Sequence, residues 1–383
     1  RGGSLAERIV VGAGLAGHTA AINLRRRGHE VRVLERRDGV GGPSRDLPTG
    51  DLSYTMGDGS PVELDKLHRY TGIDIAPACL PLPGIRVYSF GKRYDIAFPP
   101  NVPAFLVERG PRDSSLDMHL YRIAVGEGVR FEFNFPLRTR KDFQVLPPGT
   151  ILATGIFPEA YHALDLPFVP GYGLFGQGRV AEGYIGPQVI IYMDRHTWDY
   201  AFFSTINGTA GALLFQRKRP LSEEAKRWFP SRLARDEGIE LSEWYDVEDF
   251  GGEKELLPLL PLGSIANPRL FHGKFILAGT LSGAQDPVLL FGIHGALVTG
   301  TIAAMAAEEP ERAQAEFRRV IRFWRSNYLG RLVVEATHPW GLMVGSRLGL
   351  ELYRYYAPFA LRYAFLIVPG WLRLKQRQAR RWP

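Results

Sequence analysis

Between Arg8 and Glu35 the chain sets out a short apolar run, Arg8-Ile-Val-Val11, and a glycine turn, Gly12-Ala13-Gly14-Leu15-Ala16-Gly17. A helical stretch from Ala20 to Arg27 follows, closed by Gly28, and then a second apolar run from Val31 to Leu34. A strand, a glycine turn, a helix and a strand within about thirty residues is the context that gives a G-x-G-x-x-G match its meaning as a dinucleotide-binding unit. Each glycine has a separate task. Gly12 makes the tight turn, Gly14 lets a pyrophosphate approach the backbone, and Gly17 lets the helix pack close to the strand. The helix amino terminus offers unpaired N–H groups and the positive end of a dipole to the phosphates. Glu35, 21 residues beyond Gly14, is placed to accept hydrogen bonds from ribose hydroxyls.

At 383 residues the chain can build one large body or two domains, and its composition is that of a globular protein. Cys79 is the one cysteine, which rules out an internal disulfide, a CxxC redox pair and a cysteine-held metal or iron–sulfur centre. Redox chemistry would therefore need a bound cofactor. No histidine pair has metal-ligand spacing, so no metal site is expected. There is no G-x-S-x-G, H-E-x-x-H or P-loop segment to support a hydrolase, metallopeptidase or NTPase.

A second glycine-rich unit lies far along the chain. Lys274-Phe-Ile-Leu-Ala-Gly279 reads as a buried strand, Thr280-Leu-Ser-Gly283-Ala-Gln-Asp286-Pro287 as a loop, and Gly292-Ile293-His294-Gly295 opens a helix that runs past Gly300. This segment resembles the G-D-A-A-G-x-x-x-P-x-x-G-x-G motif of the para-hydroxybenzoate hydroxylase and geranylgeranyl reductase group, with Gly279, Gly283, Pro287 and Gly292 in register. Thr280 stands where that group has an aspartate, with Asp286 as a substitute acceptor, and Leu290 replaces the first glycine of the last pair. Other segments extend the resemblance. Glu35-Arg36 is followed by Gly39-Val-Gly-Gly42, then come Val107-Glu-Arg109-Gly with the helix from Ser115 to Glu127, and Ile151-Leu-Ala-Thr154-Gly155. The resemblance covers roughly residues 8 to 42, 106 to 157 and 273 to 304. The family's cysteine after the second glycine pair has no counterpart in Gly42-Pro43-Ser44-Arg45.

The resemblance implies FAD as cofactor and the glutathione-reductase structural type. It implies an α/β fold with a Rossmann-type FAD-binding domain, a mixed or antiparallel β-sheet substrate domain and a C-terminal helical region. The segments expected for these are 1–60, 106–157 and 270–330 for the first, 61–105 and 158–269 for the second, and 331–383 for the third. Cofactor contacts are expected from Gly12, Gly14, Leu15, Ala16, Gly17, Glu35, Arg36, Gly42, Arg45, Thr154, Gly155, Gly279, Thr280, Asp286, Pro287, Gly292 and Ile293. His294, in the first turn of the last helix, is the candidate for positioning substrate or moving a proton, beside a plain packing role.

Residues Ile185 to Phe215 alternate and turn at Asn207-Gly208, as antiparallel strands do, and Ser222 reads as the cap of a peripheral helix. Trp198, Tyr200 and Phe202 are the candidates for an apolar substrate pocket, against the alternative of ordinary sheet packing. The expected function is an FAD-dependent reductase or dehydrogenase of an apolar, polyprenyl-like substrate, transferring hydride through flavin N5. No second strand-glycine-helix unit serves NAD(P)H, so that reductant visits the flavin transiently or a donor protein supplies electrons. The alternatives are a flavin-dependent aromatic hydroxylase or epoxidase and a non-catalytic lipid-binding or scaffold protein.

The formal net charge of +7 is concentrated at the carboxy-terminal end, where residues 317–383 hold thirteen Lys and Arg against Glu335 and Glu351. From about Arg331 onward apolar residues such as Leu342, Val344, Leu348, Tyr356, Leu366 and Trp371 alternate with arginines. Arg354, Arg362, Pro358 and Pro369 interrupt any spanning helix, so a membrane-surface segment is expected, with a tail folded on the body as the alternative. No recognition motif accompanies these charges, and nucleic acid is not the expected partner. The first strand starts without an apolar leader before it, which reads as a cytoplasmic protein with a peripheral membrane contact.

Overall fold

The computed structural model describes residues 7–42, 56–60, 64–98, 104–246, 260–261, 265–287, 290–322 and 324–352. Of the residues singled out above, Arg45 and those beyond 352 lie outside this set. A parallel sheet is centred on β1 (Arg8–Val11), flanked by β2 (Val31–Leu34) and β9 (Ile151–Leu152). β8 (Arg130–Glu132) and β17 (Phe275–Leu277) extend it in parallel, and β16 (Phe271–His272) pairs antiparallel at the edge, giving the order β16-β17-β9-β1-β2-β8.

Alternation along these short strands explains why both sheet faces are covered. Val10, Val33, Ile151 and Ile276 enter one apolar core, while Val11, Leu34, Leu152 and Leu277 enter another. The first core is built with α1 (Leu15–Arg26), α3 (Leu116–Gly126) and α7 (Ile293–Ala306). The second is built with the short helices α4 (Arg140–Gln144) and α5 (Pro158–Ala163), through Phe143 and Tyr161. Helix α7 is buried on nearly every side, as its almost unbroken apolar sequence requires.

A second sheet of eight strands is mixed. β12 (Ala201–Ile206) and β13 (Thr209–Arg217) form a hairpin through Asn207 and Gly208, both at positive φ, the turn that Asn-Gly favours. β10 (Pro170–Arg179), β14 (Glu243–Asp246) and β15 (Leu260–Pro261) continue from β13, and β11 (Val189–Met193) follows β12 antiparallel. β11 then runs parallel to β5 (Gly84–Ser89), which pairs with β6 (Lys92–Ala97). Helix α6 (Glu223–Glu237), capped by the Ser222 hydroxyl accepting from the Ala225 N–H, covers the face that carries Tyr192, Phe203 and Leu214. A small sheet in the order β3-β7-β4 joins β3 (Met56–Ser60), β7 (Phe105–Arg109) and β4 (Cys79–Pro81). Helices α2 (Leu64–Thr71), α8 (Pro310–Val320) and α9 (Trp324–Thr337), then a helical run over 340–352, complete the described structure. The α/β fold and the C-terminal helices are thus as the sequence implies.

The closest helix contact is backbone against backbone. A Cβ on Gly300 of α7 would lie 2.5 Å from the Ala16 carbonyl oxygen and 2.9 Å from Thr19 Cβ on α1. Gly300→Ala should force the two helices apart and cost about 2 kcal/mol. Gly330→Ala, with open space around its Cβ on α9, should instead be neutral or stabilising by up to about 1 kcal/mol. Urea denaturation of both variants checks the pair, and equal stability of the two would remove this account of the contact.

Candidate functional site

The glycine turn opens a cleft at the carboxyl ends of the parallel strands. Gly12 sits at φ +101, and a Cβ there would fall 2.5 Å from the Ala153 carbonyl oxygen, so the turn passes tightly over the end of β9. A Cβ on Gly17 would lie 1.8 Å from the Gly12 carbonyl oxygen, so Gly17 lets α1 start directly against the turn. Gly14 differs, because nothing lies within 4 Å of its Cβ position. It is the N-cap of α1 without a side-chain cap, so the first-turn N–H groups have no side-chain acceptor there and an anion can take that place.

Glu35 is buried at the end of β2, where one carboxylate oxygen accepts from the Ala13 N–H at 2.8 Å and the other from the Arg37 N–H at 3.0 Å. Each oxygen keeps capacity for a further donor, so the carboxylate can hold the glycine turn and still accept from a ligand hydroxyl. Arg36 pairs with Glu159 at 3.1 Å, and its guanidinium lies 3.6 Å from the Phe157 ring centroid, with that of Arg37 at 4.7 Å. This planar cation and ring assembly forms a flat wall of the cleft.

The cleft has a volume of about 270 Å³, and Gly12, Gly14, Glu35, Arg36, Gly42, Thr154, Gly155 and Thr280 all line it. Gly42 and Gly155 stand at positive φ with open space at their Cβ positions. Among the other lining residues are Arg109, Asp117 and Phe157, for which the sequence implies no cofactor contact. Arg109 grips Asp117 through two bonds of 2.8 and 3.1 Å, and the Gly110 N–H donates to the same carboxylate. Burial opposes ionisation of Asp117, but Arg109 outweighs it and holds the carboxyl below its usual range. The Val107-Glu-Arg109-Gly segment is visible in the sequence, yet only the fold brings the end of β7 and the first turn of α3 to the cleft.

The second glycine unit reaches the same cleft from the other side. Gly279, at φ +64, donates its N–H to Thr299 Oγ1 at 2.8 Å, and a Cβ there would press on Ala16. Thr280, in the place of the family's aspartate, lines the cleft, whereas Asp286 is buried beside a separate cavity of about 20 Å³ together with His294 and Trp324. Leu290 holds the glycine position at φ +59, a conformation unfavourable for leucine, and its side chain packs onto Phe215, Ile265 and Trp324. Gly292 caps α7, and Ile293 is part of the apolar core. His294 is fully buried, and burial lowers its imidazole to about 3. It lies beside the small cavity with Val320 and Trp324, and is not among the residues that line the larger cleft.

The sheet aromatics divide. Tyr200 and Phe202 stand 6.1 Å apart and half-buried, and Phe202 is cross-strand from Leu213 on the face away from α6. Trp198 instead stacks on His338 at 4.4 Å, and that histidine contacts the Thr197 carbonyl, so Trp198 belongs to the anchor of the carboxy-terminal segment. Below it lies a buried ionic cluster. Asp199 meets Arg217 at 3.2 Å and also Arg331, while Glu335 meets Arg331 at 2.8 Å and Lys218 at 2.5 Å. Arg217 also donates to the Pro287 carbonyl at 3.3 Å, tying the sheet to the second glycine unit. Burial pushes the Asp199 carboxyl up, to about 7, against the pull of Arg217.

Burial pushes the Cys79 thiol up, to about 12, away from the reactive thiolate form. Among the described residues no group of His, Cys, Asp and Glu could hold a metal ion, and no helix is long and apolar enough to cross a membrane. Glu35→Gln presents an amide donor to one of the two buried N–H groups, and should cost about 1 to 3 kcal/mol in chemical denaturation. Unchanged stability would show that these bonds do not hold the turn.

A family model for an NAD(P)-binding Rossmann-like domain matches residues 10–59. No curated protein matches the sequence. A geranylgeranyl bacteriochlorophyll reductase-like structure from Thermoplasma acidophilum superposes with a TM-score of 0.61 at 16% identity, covering 94% of this chain and 100% of that one. The p-nitrophenol 4-monooxygenase of Pseudomonas putida gives 0.59 at 14% identity, over 94% and 95% of the chains. A 2-methyl-3-hydroxypyridine-5-carboxylic acid oxygenase gives 0.56 at 17%, over 96% and 99%. At such identities the likeness is one of fold, and the chain has the fold shared by these reductase-like and monooxygenase structures.

Proposed function

We propose that the protein is an FAD-dependent oxidoreductase, acting as a reductase or dehydrogenase on an apolar, polyprenyl-like substrate. The observation that carries the cofactor is the meeting of two half-sites from opposite ends of the chain, with Thr280 lining the same cleft as Gly14 and Glu35. The open cradle at Gly14, Gly42 and Gly155 fits a pyrophosphate and its sugars, and the Arg36, Arg37 and Phe157 wall fits a planar base. When bound, FAD supplies a ring that exchanges hydride at N5.

The residues of the chain bind and orient. The α1 amino terminus neutralises the phosphates, Glu35 accepts from the ribose, and Thr280 offers a hydroxyl to the ribityl side. Arg109, held in place by Asp117, presents a fixed guanidinium at the cleft wall. The half-buried face with Tyr200 and Phe202 offers apolar contact to a substrate. The name of the Thermoplasma structure favours a reductase of a prenyl-bearing molecule. With no second βαβ unit of the Gly12–Gly17 kind among the described residues to hold NAD(P)H, the reductant is NAD(P)H visiting transiently or a donor protein. A second reading, a flavin-dependent monooxygenase, draws on the comparable likeness to p-nitrophenol 4-monooxygenase.

The purified protein should be yellow and release FAD, with no FMN, on heat denaturation. Gly14→Asp should lower flavin occupancy at least about tenfold by setting a carboxylate against the phosphates. Full occupancy in that variant would end the assignment of this cleft. Thr280→Ala should weaken FAD by about fivefold, one hydrogen bond's worth, and Asp286→Ala should mainly lower stability. The reverse ranking in a flavin titration would move the ribityl contact to Asp286. Anaerobic bleaching by NAD(P)H or dithionite, with reoxidation by a polyprenyl substrate, separates the readings. Oxygen uptake that depends on an aromatic substrate would favour the monooxygenase, and a flavin that no donor reduces would rule out both.

A further inference from the structure

The carboxy-terminal helices show two different characters. Toward the body they are polar and specific. Arg331 and Glu335 enter the buried cluster with Asp199 and Arg217, Ser346 bonds Ser89 at 2.7 Å, Arg347 donates to the Phe90 carbonyl at 2.9 Å, and Glu351 pairs with Lys92 and Tyr94. Glu335 and Glu351 are the two carboxylates between 324 and 352, and both are drawn into these contacts.

Away from the body the same segment is apolar. Trp340, Val344, Leu348 and Leu352 recur every fourth residue and so line one stripe of the run over 340–352, at 70%, 57%, 58% and 49% exposure. Leu329, Leu332 and Val333 of α9 are exposed as well. Seven of the eleven exposed large apolar side chains among the described residues therefore fall in this one stretch, which scattered surface residues would not produce. Arg322 and Arg325 are exposed at its start. In sequence the stripe is followed by residues 353–383, which hold seven Lys and Arg and no Asp or Glu.

From this arrangement we infer that the outer face of 329–352 seats the protein on an anionic phospholipid surface. Apolar side chains with a tryptophan enter the boundary between headgroups and acyl chains, while the cations that bracket them in sequence meet the headgroups. The charge pattern argues against a second copy as the occupant, because apposed copies would bring two acid-free basic segments together, whereas anionic lipid neutralises them. The inference stands on the surface alone and is independent of the cofactor. Leu342, Met343 and Leu350 are half-buried, and Trp340 is the most exposed member of the stripe.

Flotation with phosphatidylcholine vesicles and with vesicles containing about a third phosphatidylglycerol tests it, at low and high salt. The full chain should float with the anionic vesicles at low salt, less at high salt, and little with phosphatidylcholine alone. The double variant Val344→Asp, Leu348→Asp should lose at least about tenfold in binding, since both positions are exposed and each change puts a charge in the boundary. Ile185→Asp, at a fully exposed apolar residue in another part of the surface, should bind as the parent does. Circular dichroism should show all three proteins equally folded. Failure of the parent to float with any vesicle, or unchanged flotation of the folded double variant, would overturn the inference. So would a parent that fails to float and forms a dimer in sedimentation which the double variant dissolves.

Discussion

Everything around the cleft depends on one contact between backbones, where Gly300 of α7 lies against Ala16 and Thr19 in the first turns of α1. Two helices that start more than 270 residues apart in sequence approach closer than any side chain would allow. The approach brings the Gly279 loop onto Ala16, and with it Thr280 into the cleft that Gly14 opens. Because α7 is apolar throughout and buried, its burial holds the glycine contact closed. The two ends of the chain therefore fold as one unit around a site that neither end forms alone.

The glycines of the two glycine-rich units and the loops near them fall into two kinds, and the difference is physical. Gly12, Gly17 and Gly295 are close-packing positions, where a Cβ would strike a carbonyl oxygen of the protein itself. Gly14, Gly42 and Gly155 face open space in the cleft, so their missing side chains leave room for something other than protein. Leu290 shows the opposite choice at a position the related motif gives to glycine. There a left-handed leucine accepts backbone strain, which its packing on Phe215, Ile265 and Trp324 offsets.

A second constraint fixes the carboxy-terminal segment. Burying Asp199, Arg217, Arg331 and Glu335 together carries a desolvation penalty that their mutual pairing only partly offsets, so the cluster is weak evidence for added stability. Its geometric effect is clearer. Arg217 reaches the Pro287 carbonyl while its partners hold α9, so the second sheet, the loop beside the cleft and the terminal helices share one set of bonds. Each carboxylate has more than one cationic partner, Asp199 meeting Arg217 and Arg331 and Glu335 meeting Arg331, Arg217 and Lys218. The basic residues that looked in sequence like a uniform charged tail thus divide into buried anchors such as Arg331 and exposed cations such as Arg325.

The amino-acid sequence by itself determined the βαβ unit, the different tasks of Gly12, Gly14 and Gly17, the Asn207-Gly208 hairpin and the Ser222 cap. The hairpin, the cap and the Gly17 contact with Gly12 rest on interactions within a few residues, where backbone sterics and local hydrogen bonds decide the outcome, and the spacing of the glycines carried the rest. Tertiary structure alone decided that Arg109, Asp117 and Phe157 line the cleft, since they come from a strand end, a helix start and a loop that share no local pattern. It likewise decided that Thr280 and not Asp286 borders this cleft, and that His294 is a neutral buried side chain. Trp198 was drawn away from the aromatic face of the sheet by His338, a partner 140 positions distant. In each case the deciding term was burial or contact across the fold, which periodicity and spacing along a chain do not encode.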